Sequence, residues 1–155
     1  MTVEELMTKS PTNISNYDTL DRAAQKLWDN DCGVLPVVGG DGRLVGIITD
    51  RDICMSAWSR GQLLSTIHVD EAMSKQVFSV TPDQDVDAAL QLMADNQVRR
   101  LPVVDAEGKP IGILSLSDLA CEATRTGSKL TDGIHRAIHT IAAICQPRKR
   151  MQKAA

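Results

Sequence analysis

Two short segments pair a hydroxyl with a carboxylate three residues later: Thr49 with Asp52, and Ser115 with Asp118. Each pair follows an apolar run, Gly46-Ile47-Ile48 or Gly112-Ile113-Leu114, and precedes a stretch with helical patterning. Where a strand enters a helix, the first backbone N–H groups lack partners and the positive dipole end faces outward. An anion is favoured there. An ionised carboxylate accepts through two oxygens and suits a group that offers two donors. The same spacing also spells a capping box, in which the acid bonds back to the cap. Such a cap contributes about 1 kcal/mol with no ligand involved. On the residues alone both readings stand, and they can coexist. Arg51, Arg99 and Arg100 are further candidates, because guanidinium forks match phosphate oxygens. The alternative for them is a solvated surface.

Other constellations offer less. His135 and His139 have the i, i+4 spacing of two metal ligands, but Arg136 stands where a zinc-protease helix has Glu, and no third ligand follows in register. Ile134, Ile138, Ile141 and Ile144/Cys145 form the apolar stripe of that helix, which predicts the histidines on its wet side and no metal. Cys32, Cys54, Cys121 and Cys145 contain no C-x-x-C pair, so they read as small buried or half-buried side chains in a reducing compartment. No Ser-His-Asp set, Walker-type loop or Gly-x-Gly-x-x-Gly segment occurs, and nothing in the chain points to catalysis or a catalytic cofactor.

Composition narrows the partners. Seventeen Lys and Arg face twenty Asp and Glu, a net charge of −3, which argues against a nucleic-acid-binding face. Tyr17, Trp28, Trp58 and Phe78 are the only aromatic residues, too few for a base-stacking platform. No apolar run approaches the roughly 20 residues that span a bilayer, and Glu4 and Glu5 interrupt the place of a leader. A soluble, cytoplasmic protein is expected. The basic tail Arg148-Lys149-Arg150-Met151-Gln152-Lys153 is expected to be solvated.

The organising signal is a repeat. A shift of 66 residues lays Val3–Cys54 on Val69–Ala120 without a gap. Leu35-Pro36-Val37-Val38 falls on Leu101-Pro102-Val103-Val104, Gly42 on Gly108, Gly46-Ile47 on Gly112-Ile113, and Asp52 on Asp118. In the second copy Phe78-Ser79-Val80 is predicted as a strand and Thr81 as a helix cap, with Pro82 at the first helical position. Val86, Ala89, Leu90 and Met93 make the apolar stripe. In the first copy Ser15 is the predicted cap, and Leu20, Ala23, Ala24 and Leu27 the stripe. Two apolar runs around Asp41-Gly42 or Glu107-Gly108 predict hairpins. Helices follow over 50–60 and 116–125, closed by Gly61 and Gly127. The pattern predicts a mixed α/β (α+β) fold: two β-α-β-β-α repeats over 1–64 and 65–127, packed about a pseudo-twofold axis, with a C-terminal helix and tail over 128–155.

Each copy resembles a cystathionine-β-synthase (CBS) domain, and the pair resembles a Bateman module. The resemblance rests on the Leu-Pro-Val-Val runs, the glycine turns, Gly46-Ile47-Ile48-Thr49-Asp50-Arg51-Asp52 and Gly112-Ile113-Leu114-Ser115-Leu116-Ser117-Asp118. It implies adenosine-containing ligands between the repeats (AMP, ADP, ATP, S-adenosylmethionine or NAD-type molecules), regulation of an effector protein, and a homodimer. It assigns Asp52 and Asp118 to ribose hydroxyls and Thr49 and Ser115 to the phosphate side. Backbone near Asn13-Ile14 and Ser79-Val80 would meet the base, which Ile14, Val80, Pro36 and Pro102 would wall. The two sites are expected to be unequal, since Arg99 and Arg100 stand opposite Gly33 and Val34. The alternative is a ligand-free scaffold that dimerises through its apolar helix faces.

Overall fold

The computed structural model describes residues 1–125, 140, 141, 143 and 144. In chain order these form α1 (Val3–Leu6), β1 (Thr8–Lys9), β2 (Ile14–Ser15), α2 (Leu20–Asp29), β3 (Val34–Val38), β4 (Leu44–Thr49) and α3 (Asp50–Arg60). A 3-10 turn at Leu64–Thr66 leads to α4 (Val69–Ala72), α5 (Val86–Asn96), β5 (Arg100–Val104), β6 (Pro110–Ser115) and α6 (Leu116–Arg125). The mixed α+β class and the duplicated hairpin-helix unit follow the sequence pattern. Among the described residues no helix is long and apolar enough to cross a membrane.

The hairpins form where the glycine turns place them. Gly42 and Gly108 hold φ of 79° and 81°, the left-handed region that a side chain disfavours. Leu35 and Val37 of β3, like Leu101 and Val103 of β5, bury their side chains completely in the two cores. Pro36 and Pro102 point the other way and are also buried, so both sheets are covered on both faces. The order is β2-β3-β4 in one sheet and β1-β6-β5 in the other. β2 runs parallel to β3, as the crossover through α2 requires. Gly61 closes α3 at φ 61°, whereas Gly127 lies outside the described residues.

Three expectations need correction. The caps are Thr19 for α2 and Asp85 for α5, not Ser15 and Thr81. Ser15 and Thr81 instead close tight turns. The Ser15 hydroxyl accepts from the Tyr17 N–H at 3.2 Å, and the Thr81 carbonyl accepts from the Gln84 N–H at 3.2 Å. Thr-Pro-Asp-Gln is a favourable turn with proline at its second place, so the helix waits for its first stripe residue, Val86. The strand predicted over Phe78–Val80 shrinks to one bridge between Val80 and Val103. In the first repeat the Asn16 N–H donates to the Val38 carbonyl at 3.0 Å; its counterpart is Pro82, which has no N–H to give. The third correction concerns thiols: Cys54 and Cys121 are exposed and Cys32 is half-buried, while Cys145 lies outside the described residues.

The repeats interlock through their leading segments, which no periodicity announced. Val3 of α1 is buried in the second core beside Val80 and Met93, and its N–H donates to the Gln84 carbonyl at 2.9 Å. β1 then adds to the edge of β6, Thr8 opposite Ile113. The second repeat returns the arrangement. Ile67 and Val69 are buried in the first core, the Leu20 N–H donates to the Ile67 carbonyl at 2.9 Å, and Ser74 bridges to Ile47 of β4.

Both arms are fixed by a short capped helix. The Glu5 carboxylate accepts from the Thr2 N–H at 2.8 Å, and the Glu71 carboxylate from the His68 N–H at 3.0 Å. Arg60, the last residue of α3, also reaches Glu71 at 2.6 Å. The His68 N–H and then the Arg60 guanidinium hold the Glu71 carboxyl below its ordinary value of 4.5. The unfolded chain therefore takes up this proton first, and the stabilisation, present above that ordinary value, is lost as pH falls through the lower folded value. Thermal melts between pH 6 and pH 3 should show the parent losing its advantage over Glu71→Gln as acid is added. Parallel curves would rule out this contribution.

At the carboxyl end Thr140, Ile141, Ala143 and Ile144 are helical. Ile144 enters the second core, but Ile141 is 45% exposed and Thr140 is buried. The inward face thus runs through 140 and 144: Ile144 keeps its place on the expected stripe, Ile141 departs from it, and Ile134, Ile138 and Cys145 lie outside the described residues. His135, His139 and the basic tail lie outside the described residues.

Candidate functional site

Both hydroxyl-carboxylate pairs sit where β4 enters α3 and where β6 enters α6. In the first, Asp52 Oδ2 accepts from the Thr49 N–H at 2.9 Å and from the Thr49 hydroxyl at 2.7 Å, while Thr49 Oγ1 accepts from the Asp52 N–H at 3.2 Å. In the second, Asp118 Oδ2 accepts from the Ser115 N–H at 2.8 Å and its hydroxyl at 2.6 Å, and Ser115 Oγ accepts from the Asp118 N–H at 3.3 Å. The capping box is thus formed twice.

Only one oxygen of each carboxylate is used in this way. Asp118 Oδ1 accepts from the Thr8 hydroxyl at 3.4 Å, a long bond from the arm of the first repeat. Asp52 Oδ1 has no hydrogen bond among the described residues, and Asp52 is only half-buried. The arm beside β4 is the one that carries Ser74. Just beyond it, Lys75, Val77 and Ser79 line a cavity of about 260 Å³ with Leu44, Val45 and Val104.

The other expected residues are placed unevenly. Ile14 and Val80 are buried, paired in parallel with Val37 and Val103. Arg51, Arg99 and Arg100 are all exposed on the surface. Arg100 stands opposite Ser115 in the sheet, and its guanidinium reaches the first repeat, 3.7 Å from where a Cβ on Gly33 would be. It therefore crosses between the repeats. Thr8 and Ser74 were not among the expected site residues. The signal was present, since both are hydroxyl residues related by the same 66-residue shift. Among the described residues no three His, Cys, Asp or Glu side chains gather into a metal site.

The CBS-domain family model matches residues 3–58 and again 69–123, one match for each repeat. The chain belongs to the CBS-domain family. Among CBS relatives it is similar to the CBS domain-containing protein YhcV of Bacillus subtilis, 37% identical over an alignment of 140 residues that covers 88% of this chain and 98% of YhcV. Its fold is similar to the CBS domain pair of protein MJ0100, solved in complex with 5′-methylthioadenosine and S-adenosyl-L-methionine. That likeness has a TM-score of 0.72 at 26% identity, covering 81% of this chain and 98% of the other. CBSX2, solved in complex with AMP, matches with a TM-score of 0.70 at 28% identity, covering 81% and 97% of the two chains. The tandem CBS architecture explains why two capping boxes with the same hydrogen-bond pattern occur in one chain. Each box stands beside the arm that the other CBS repeat sends across.

Proposed function

We propose that this CBS pair is a regulatory, non-catalytic module that takes adenosine-containing ligands between its repeats, 1–64 and 65–127, and signals to an effector protein. The observation that carries the reading is the divided carboxylate. One oxygen of Asp52 and of Asp118 is held by its own cap, which fixes the rotamer; the second oxygen of Asp52 is left to accept from a ribose diol, and that of Asp118 carries only the long bond from Thr8. Thr49 and Ser115 stand at helix N-termini suited to the phosphate side, and Arg100 is placed better than Arg51 or Arg99 to add a guanidinium from the opposite repeat. Ile14, Val80, Pro36 and Pro102 would back the base. The complexes of MJ0100 and CBSX2 with adenosine compounds support the ligand class. A homodimer and a cytoplasmic location complete the proposal.

The two clefts differ. On the Asp52 side the second carboxylate oxygen has no protein donor among the described residues, whereas Thr8 already approaches Asp118. Unequal affinities follow. Isothermal titration with AMP, ADP, ATP, S-adenosylmethionine and NADH tests the reading. Saturable heat at micromolar concentration, with one class of site stronger than the other, is the expected result. No heat across the panel would overturn ligand sensing and favour the scaffold.

A further inference from the structure

Asp50 and Arg100 are charges that the other repeat lacks. The 66-residue shift sets Asp50 against Leu116 and Arg100 against Val34, an aliphatic side chain both times. The two charges come from different repeats and converge. Arg100 Nη2 lies 3.7 Å, and Asp50 Oδ2 3.9 Å, from the point where a Cβ on Gly33 would stand. Gly33 itself puts no side chain there. Even so, Asp50 and Arg100 form no ion pair with each other among the described residues. Asp50 Oδ1 accepts from the Arg51 N–H at 2.7 Å, which holds the carboxylate in place and leaves Oδ2 as the oxygen beside Gly33.

The convergence bears on the tail of the ligand. Thr49, the residue before Asp50, and Arg100 are the groups that the proposed cleft offers to the 5′ substituent of an adenosine. A substituent that reaches the Arg100 guanidinium therefore also meets the Asp50 carboxylate. A polyphosphate chain is attracted by the first and repelled by the second. It also finds no surplus of positive charge, because Asp50 and Asp52 balance Arg51 and Arg100. An α-amino acid answers both groups: its carboxylate takes the guanidinium fork, and its ammonium donates to Asp50 Oδ2. We propose that Asp50 and Arg100 are the specificity-determining pair of the Asp52 cleft. They select an adenosine whose tail is an amino acid, as in S-adenosylmethionine, over one that ends in a chain of phosphates. The discrimination works through a repulsive element as much as an attractive one. AMP, with the shortest phosphate tail, is disfavoured least among the nucleotides. The Asp118 cleft has Leu116 and Val34 at these positions and lacks the pair. This inference deepens the reading of the chain as an adenosine-binding module and rests on it.

The test compares S-adenosylmethionine with ATP and with 5′-methylthioadenosine, which keeps the adenosine and the sulfur but has no amino acid. Calorimetric titrations use the intact parent chain and an Asp118→Ala chain, in which the heat reports the Asp52 cleft. Asp50→Leu and Arg100→Val, each copying the residue of the other repeat, are added to the Asp118→Ala chain and checked for folding by circular dichroism. In the Asp118→Ala chain S-adenosylmethionine is expected to bind about ten-fold or more tighter than methylthioadenosine or ATP. Each added substitution should remove most of the preference over methylthioadenosine, and Asp50→Leu alone should raise the affinity for ATP. Equal binding of S-adenosylmethionine and methylthioadenosine, tighter binding of ATP, or a preference that survives both substitutions overturns the pair's role and leaves adenosine sensing intact. Binding by the parent that vanishes in the Asp118→Ala chain also overturns it, by placing the ligand in the other cleft. Silence of the parent toward all three compounds overturns sensing itself, and the pair's role with it.

Discussion

Asp52→Ala is expected to weaken AMP binding by ten-fold or more and to lower the melting temperature by only a few degrees. The two effects come from different oxygens. Removing Oδ2 from Thr49 deletes a cap worth about 1 kcal/mol, or roughly 2–4 °C for a chain of this size. Removing Oδ1 deletes the acceptor for the ribose, and charge-assisted hydrogen bonds contribute about 1.5–3 kcal/mol each, a factor of roughly ten to one hundred and fifty in affinity. Asp52→Asn separates the terms further. An amide oxygen still accepts from the Thr49 N–H, so stability should stay near the parent while the lost charge weakens AMP binding. Titration calorimetry and thermal melts on the parent, both Asp52 variants and Asp118→Ala complete the comparison. Variants that melt lower yet bind AMP as the parent does would reduce both carboxylates to caps.

The second large effect is expected at Gly112, where β6 receives the arm of the first repeat. A Cβ there would overlap the Met7 sulfur and lie 3.1 Å from Met7 Cγ and 3.3 Å from Val103 Cβ. Met7 can swing away only by giving up its packing against the second core. Overpacking of this kind costs about 1–3 kcal/mol, so Gly112→Ala should melt roughly 2–12 °C below the parent. The suppressor is specific. Met7→Ala removes the overlapping atoms, so the double variant should be more stable than the sum of the single effects allows. Additive losses, or a Gly112→Ala protein that melts with the parent, would show that the arm is not clamped here. Gly46 faces Met73 in the same way, and a Cβ there would also lie 3.2 Å from the Ser74 carbonyl.

Much of this was legible in the sequence, and the rest was hidden for physical reasons. The hairpins could be read because alternation at Leu35 and Val37 and a glycine turn are local facts. The hydroxyl-carboxylate pairs could be read as chemistry, though not which oxygen of Asp52 would serve which role. The helix starts slipped because Thr81-Pro82-Asp83 is as good a turn as it is a helix entry, and only the tertiary placement of Val86 decides. The exchanged arms could not be read at all. Burial of Val3 and Val69 is a property of each segment, but hydrophobic pattern says that a face is covered and never by which neighbour. Thr140 and Ile141 make the same point, since the stripe placed Ile144 inside but also claimed Ile141, where Thr140 is the residue that is buried.

The crossed arms also say something about descent. If α1 with β1, and α4 with Ser74, each complete the other half of the molecule, a half-length polypeptide would have had a frayed sheet edge and an uncovered core on its own. Two identical copies embracing each other would have repaired both faults at once. Gene duplication with fusion then turns an association that dilution can undo into one that it cannot. Once the halves are joined they are free to diverge, and Arg100 opposite Val34 and Leu116 opposite Asp50 are the marks of that freedom.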